Sequence, residues 1–321
     1  MPQPIFAILL AGRIRPSSLA ESLDVPVLSL PVGHSGTLLD AWVNVVSALP
    51  GVERIQAVVN TPSEVESMFA IGAAACLRPS QRSAVRVIAE PAAWRGAAGI
   101  VRDVAQDVDE CALILVCEIK RLPPRSLMPL LESVQDRGDD VAGAVGVCGE
   151  DEPAGAYLFT QEAINSAAAI GYVDLKEQLI PSLRRAGRQV LAASLGSEVW
   201  RLNDLGSYLS CVGQSLCQQS GGASMFRISP RASIAPTVSI EGFCIVEDDA
   251  VIEDGAVLHN SVLLWHAHVG KRAVVSRSVV GPGAIVPSHG RILQRSLASA
   301  ANDVAQPRLR PSAMHSSGSW V

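Results

Sequence analysis

The residues able to do chemistry lie in a few short stretches of this chain. Leu10-Ala11-Gly12 closes an apolar run and is followed by Arg13 and Arg15. Gly96-Ala97-Ala98-Gly99 opens a helical stretch and is flanked by Arg95 and Arg102. Glycines in such a turn let a ligand approach the backbone, and a helix N-terminus offers N–H donors to an anion. The alternative for that turn is helix packing. Glu118 ends another apolar run, where a carboxylate can pair with Lys120 or Arg121. The seven cysteines, Cys76 to Cys244, show no CxxC spacing and mostly sit in apolar surroundings. They read as buried free thiols of a reducing compartment rather than metal ligands. No GxSxG elbow is present, so serine hydrolase chemistry has no support.

The elements that must position these groups alternate. Apolar runs at 5–11, 55–59, 111–117 and 141–147 suit parallel strands covered on both faces. Amphipathic stretches at 38–49 and 99–108 suit helices. The pattern predicts an α/β fold, a doubly wound, mainly parallel sheet, whose ligands sit outside the carboxyl ends of the strands. The segments after Leu10 and Val116 lie at such ends.

From Ile228 the period changes. Ile228, Ile234, Ile240, Val246, Ile252, Leu258 and Leu264 recur every six residues, and slips of one residue give Val269, Val275, Val280 and Val286. Small or modest residues such as Cys244, Ala250 and Ala256 stand two positions ahead. This is a hexapeptide repeat, expected to build a short left-handed β-helix of about three coils that leans on the first domain. Asn260-Ser261 reads as a coil-stabilising pair. The domain boundaries expected are 1–225, 226–288 and a disordered tail over 289–321, with a short helix over Ile292–Val304.

Composition narrows the function. With 48% hydrophobic and 18% charged residues the chain can build sizeable cores, and a net charge of −5 without basic runs argues against nucleic-acid binding. The start MPQPIFAILLAG has no basic leader and reads as a buried strand. No apolar stretch is long enough to span a bilayer, so no membrane partner is expected and the cytoplasm is the expected location.

Taken in order, LLAG at 9–12, RIRP at 13–16, PVLSLPV at 26–32, GAAG at 96–99, LVCE at 115–118, GAYLF at 155–159, LKEQLIPSLRRAG at 175–187 and the Trp200–Tyr208 stretch, followed by the hexapeptide repeat, resemble the nucleoside-diphosphate-sugar pyrophosphorylases. These sugar-phosphate nucleotidyltransferases include the mannose-1-phosphate guanylyltransferases and glucose-1-phosphate adenylyltransferases. The resemblance implies attack of a sugar 1-phosphate on a nucleoside triphosphate, with Mg²⁺, cationic side chains and N–H groups around the transition state. It assigns nucleotide contacts to Leu10, Ala11, Gly12, Gly96, Ala97, Ala98 and Gly99, a catalytic role to Arg13 or Arg15, and a metal ligand to Glu118.

Departures from the family pattern weigh against catalysis. The LAGGxGTRLxP signature is shortened by about four residues after Gly12, removing N–H groups that cradle the triphosphate. Val27 stands where the family has a phosphate-contacting lysine. The second metal aspartate aligns with Leu202, or with Asp204 in a shifted register, and the sugar-binding Glu-Lys-Pro is missing. The expected function is a degenerate relative that binds a nucleotide or nucleotide sugar, or regulates a paralogous pyrophosphorylase, as a homo-oligomer or with that paralogue. One alternative is an active, divergent pyrophosphorylase using Mg²⁺. The other is a β-helix acyltransferase with a base from His259, His266 or His268, or a scaffold, although these histidines read as solvated coil residues.

Overall fold

The computed structural model describes residues 3–11, 18–33, 36–60, 85–91, 94–135, 138, 140–196, 200–220 and 225–299. Gly12, Arg13, Arg15, Cys76 and the segment 300–321 lie outside the described residues.

The N-terminal region is built on a seven-stranded sheet. Its strands are β1 (Ile5–Leu10), β2 (Val52–Val59), β3 (Val85–Ala89), β4 (Leu113–Glu118), β5 (Val141–Cys148), β6 (Glu152–Thr160) and β7 (Gln189–Ser194). They run in the order β3-β2-β1-β4-β6-β5-β7. All neighbours are parallel except β6, which is antiparallel to both β4 and β5. The expected parallel α/β sheet is therefore present. Alternation along each strand feeds two cores. Ile5, Ala7 and Leu9 of β1 face one core, with Leu115 and Cys117 of β4. Phe6 and Ile8 face the other, with Ile114 and Val116.

Helices α1 (Ser18–Leu23), α2 (Leu38–Ser47), α3 (Gly96–Val104), α4 (Met128–Gln135), α5 (Gln161–Asn165), α6 (Ile180–Arg185) and α7 (Leu205–Ser220) cover these faces. Residues of α2, α4 and α7 fill the first core, and residues of α3, α5 and α6 fill the second. Local chemistry starts some of them. Thr37 and Asp40 form a reciprocal capping box that opens α2. Asp204 does the same for α7: its Oδ1 accepts from Ser207 N at 2.8 Å, while Ser207 Oγ accepts from Asp204 N at 3.0 Å.

The C-terminal region winds into a β-helix with three columns of parallel pairing. On the first face Ile228, Val246, Leu263, Val280 and Leu297 stack in register. Ile234, Ile252, Val269 and Val286 stack on the second, and Ile240, Leu258, Val275 and Ile292 on the third. All but Ile228 belong to, or pack against, one internal aliphatic core. Ala250, Ala256, Ala267, Ala273 and Ala284, fully buried in it, allow the chain to turn tightly.

Three expectations need correction. The inward residue after Leu258 is Leu263, not Leu264, which belongs instead to the core shared with the α/β region. The slip falls at a corner: two residues, Gly242 and Phe243, turn the first coil, and Asn260 alone turns the next, in a left-handed conformation. With both residues apolar, period counting could not separate them. Second, among the described residues the array has four tiers on two faces and five on the other, rather than about three. Third, the stretch expected as tail and helix begins with strands Arg291–Leu293 and Ser296–Leu297, which pair with the preceding coils. Coil pairing here overrides a modest helical pattern.

The first face docks on the α/β region. Ile245, Val262 and Val279 share a core with Tyr208, Val212 and Leu216 of α7. Gly213 makes room for this contact, since a Cβ there would meet Phe243 Cδ1 at 2.9 Å. The Ser22 and Ser296 hydroxyls lie 2.8 Å apart across the same seam. Asn260 Oδ1 accepts from Phe243 N at 3.1 Å, a side-chain-to-backbone bond of the expected kind. Among the cysteines, Cys117, Cys148, Cys211 and Cys244 are buried and free, but Cys111 and Cys217 are exposed. Cys111 precedes β4 rather than lying in it. No helix among the described residues is long and apolar enough to cross a membrane.

Candidate functional site

The carboxyl ends of β1 and β4 lie side by side, with Leu10 directly opposite Glu118. Ala11 is tied to the sheet through its N–H, which donates to Val58 O at 2.8 Å, and Leu10 O accepts from Ile119 N at 3.1 Å. The segment after Glu118 then pairs with the Trp200 stretch: Leu122 N donates to Trp200 O and Leu202 N to Lys120 O. Leu202 is buried in the core.

Glu118 is held by three other side chains. Lys176 Nζ lies 2.9 Å from Oε1 and 3.2 Å from Oε2. Tyr157 OH, from β6, donates to Oε1 at 3.2 Å. Arg121 Nη2 is 3.7 Å from Oε2. Burial, reinforced by the negative charge of Glu118, pushes the Tyr157 phenol well above its usual pKa, so it remains a donor. The Lys176 ammonium also sits 5.7 Å from the centre of the Tyr157 ring. Lys176 is brought there by a π turn, Leu175–Leu179, that leads into α6. Asp174 caps this turn, its Oδ1 accepting from Lys176 N at 2.7 Å and Glu177 N at 2.9 Å.

Arg121 extends the network. Its Nη1 donates to Pro153 O at 2.6 Å and approaches Glu152 at 4.0 Å, while Glu152 also pairs with Arg201. The segment that follows β5 thus supplies a partner for two arginines.

The glycine turn at 96–99 faces inward. Gly96 has φ +70°, and a Cβ on it would meet Val173 O at 2.5 Å. Ala98 N donates to Val173 O at 2.9 Å, and Val173 N returns a bond to Arg95 O at 2.8 Å. Arg95 makes a two-pronged pair with Asp103 at 2.7 and 2.9 Å and donates to Gly171 O. Arg102 donates to Ala167 O at 2.7 Å. Both flanking arginines therefore serve the packing of residues 167–173 against α3. The resemblance joins Gly96–Gly99 to the strand ends. The described contacts connect them through Val173 and the neighbouring π turn that carries Lys176.

The donor set at Glu118 does not fit Mg²⁺. This ion needs several oxygen ligands in near-octahedral order. Among the described residues no group of three or more His, Cys, Asp or Glu side chains could hold a metal. The other carboxylate considered, Asp204, is committed to its helix. The Ser207 N–H, with the Ser207 hydroxyl and the Gly206 N–H, holds its pKa below the usual value. Val27, at the lysine's place, is buried in a short 3₁₀ turn.

The three histidines considered as candidate bases are dispersed. His259 Nδ1 lies 3.0 Å from Ser276 Oγ on the third face, His268 Nε2 3.0 Å from Glu253 on the second, and His266 at the corner between the first two faces, 3.9 Å from Asp249.

Residues 223–307 match the family model described as GMPPB C-terminal domain. This span covers the β-helix, which is the part of the chain with the strongest repeat. The likeness shown is therefore one of the C-terminal region. No curated protein matches the chain. The Glu118 network is the feature that sequence reasoning missed. Glu118 itself was legible as a strand-end carboxylate, but its main partner, Lys176, lies 58 residues away in sequence. Its signal was only the LKEQLIPSLRRAG stretch, one of the segments that carry the resemblance.

Proposed function

We propose that this chain is a non-catalytic sugar nucleotidyltransferase-like protein that binds a nucleotide or nucleotide sugar, or regulates an active pyrophosphorylase related to it. The observation that carries the reading is the occupation of Glu118. Both of its oxygens face the Lys176 ammonium, with Tyr157 OH and the Arg121 guanidinium beside them. A carboxylate so neutralised is a poor ligand for a second cation, because that ion would have to displace or repel Lys176 and Arg121. The buried Val27 and the capping role of Asp204 support the same conclusion. What remains is a strand-end surface with fixed cations, suited to an anionic phosphate group without metal.

The test is pyrophosphate release with Mg²⁺ over a matrix of nucleoside triphosphates and sugar 1-phosphates, run alongside calorimetric binding of nucleotide sugars in EDTA. The expected result is no turnover with any pair and metal-independent binding that weakens in Lys176→Ala. Turnover that disappears in Glu118→Ala would overturn the proposal in favour of an active, divergent pyrophosphorylase.

A further inference from the structure

The β-helix is electrically polarised along its axis. Residues 226–254 carry six carboxylates, Glu241, Glu247, Asp248, Asp249, Glu253 and Asp254, against two arginines. Residues 255–299 carry five Lys and Arg and no carboxylate. All five cations, Lys271, Arg272, Arg277, Arg291 and Arg295, are exposed. None of them has an ion-pair partner among the described residues.

The polarity is sharpest on one ridge. The corner between the second and third faces lies opposite the first face, which docks on the α/β region, so it points away from the rest of the chain. Here Asp254 sits directly beneath Lys271, with Glu253 and Arg272 on either side of that pair. Lys271 N donates to Glu253 Oε2 at 3.0 Å and Arg272 N to Asp254 O at 2.9 Å. The ridge is flanked on the second face by the outward apolar residues Val251 and Ile285, the latter 65% exposed.

We propose that this ridge is the contact surface for a second copy of the chain, packed antiparallel about a two-fold axis between the second and third coils. Such an axis keeps like faces together and inverts the order of the coils. Glu253 and Asp254 of each copy then meet Lys271 and Arg272 of the other. This complementary set occurs twice, as an isologous interface requires. A parallel arrangement would instead place acid on acid and base on base. Because coils are spaced by about 4.8 Å, the opposed charges lie well within a Debye length of about 8 Å at physiological salt. The apolar residues on the second face supply area that charge alone does not.

Sedimentation of the full chain tests this. The wild type is expected to dimerise, and to dissociate at least about tenfold more readily as salt rises from about 0.1 to about 1 M, where the Debye length falls from about 10 to about 3 Å. Lys271→Glu with Arg272→Glu makes the ridge wholly acidic, and Glu253→Lys with Asp254→Lys makes it wholly basic. Each variant alone is expected to be monomeric, and an equimolar mixture is expected to form a heterodimer. Circular dichroism checks that each variant is folded. Lys271→Glu alone, on the exposed corner, substitutes for any that is not, and is expected to weaken dimerisation at least about tenfold. A monomeric wild type at low salt, or a dimer indifferent to these reversals, would overturn the proposal.

Discussion

The β-helix and the strand-end site organise their residues in opposite ways. In the β-helix, order comes from single aliphatic positions repeated at a fixed interval, each touching its counterpart one coil away. At the strand ends, order comes from unlike residues drawn from β4, β6 and a distant π turn, each used once. The repeat tolerates variation among its members, because Ile, Val and Leu all fill the same column. The site does not, since exchanging one charged group changes what the surface can hold. This contrast explains why the recognisable family likeness resides in the coils.

The comparison can be broken at its strongest point by placing charge inside a column. Val269 is fully buried between Ile252 and Val286, and Val269→Asp is expected to cost more than about 4 kcal/mol through an unpaired buried carboxylate. Val251→Asp, outward in a neighbouring coil and exposed, is expected to change stability by less than about 0.5 kcal/mol. Equal effects in denaturant titrations would dissolve the distinction between inward and outward positions. In the α/β region, Gly96→Ala is expected to cost about 3 kcal/mol, because the new Cβ strikes a backbone carbonyl in a left-handed conformation. A stability within experimental error of wild type would show that the turn is not set by its packing on Val173. The smallest effect concerns the α7 cap. Asp204→Ala is expected to remove about 1 kcal/mol. Hydrogen bonding lowers the Asp204 pKa in the folded chain below 3.8, so its contribution is present above that value and is lost as pH falls through the lower, folded one. Stability of the variant should therefore fall less steeply with acid than that of the wild type in parallel unfolding curves.

Much of the architecture was readable because its causes are local. The apolar runs became β1, β2, β4 and β5, and the aliphatic period became the three columns. Polar or mixed strands were harder. The Gln189–Ser194 strand has an alternating, partly exposed pattern, and its place is fixed by pairing with β5, not by its own composition. The final coils were misread as tail because Ser and Arg are plentiful there, yet each strand need only supply one inward aliphatic, such as Ile292, to continue the stack. The strand-end site was half legible. Glu118 announced itself at the end of an apolar run, whereas the partnership with Lys176 depends on chain crossings that no spacing encodes. The parts of the expected site at Gly12, Arg13 and Arg15 lie outside the described residues.

The longer corner at Gly242-Phe243 has a consequence for how such an array grows. Phe243 is the residue that later corners omit, and it is the one lodged over Gly213 of α7. The α/β region therefore grips a coil that has no duplicate elsewhere in the stack, so the β-helix cannot slide by one repeat and dock equally well. Coils can be gained or lost at the far end, as tiles are added to the free edge of a roof, while the hinge pin stays where it is.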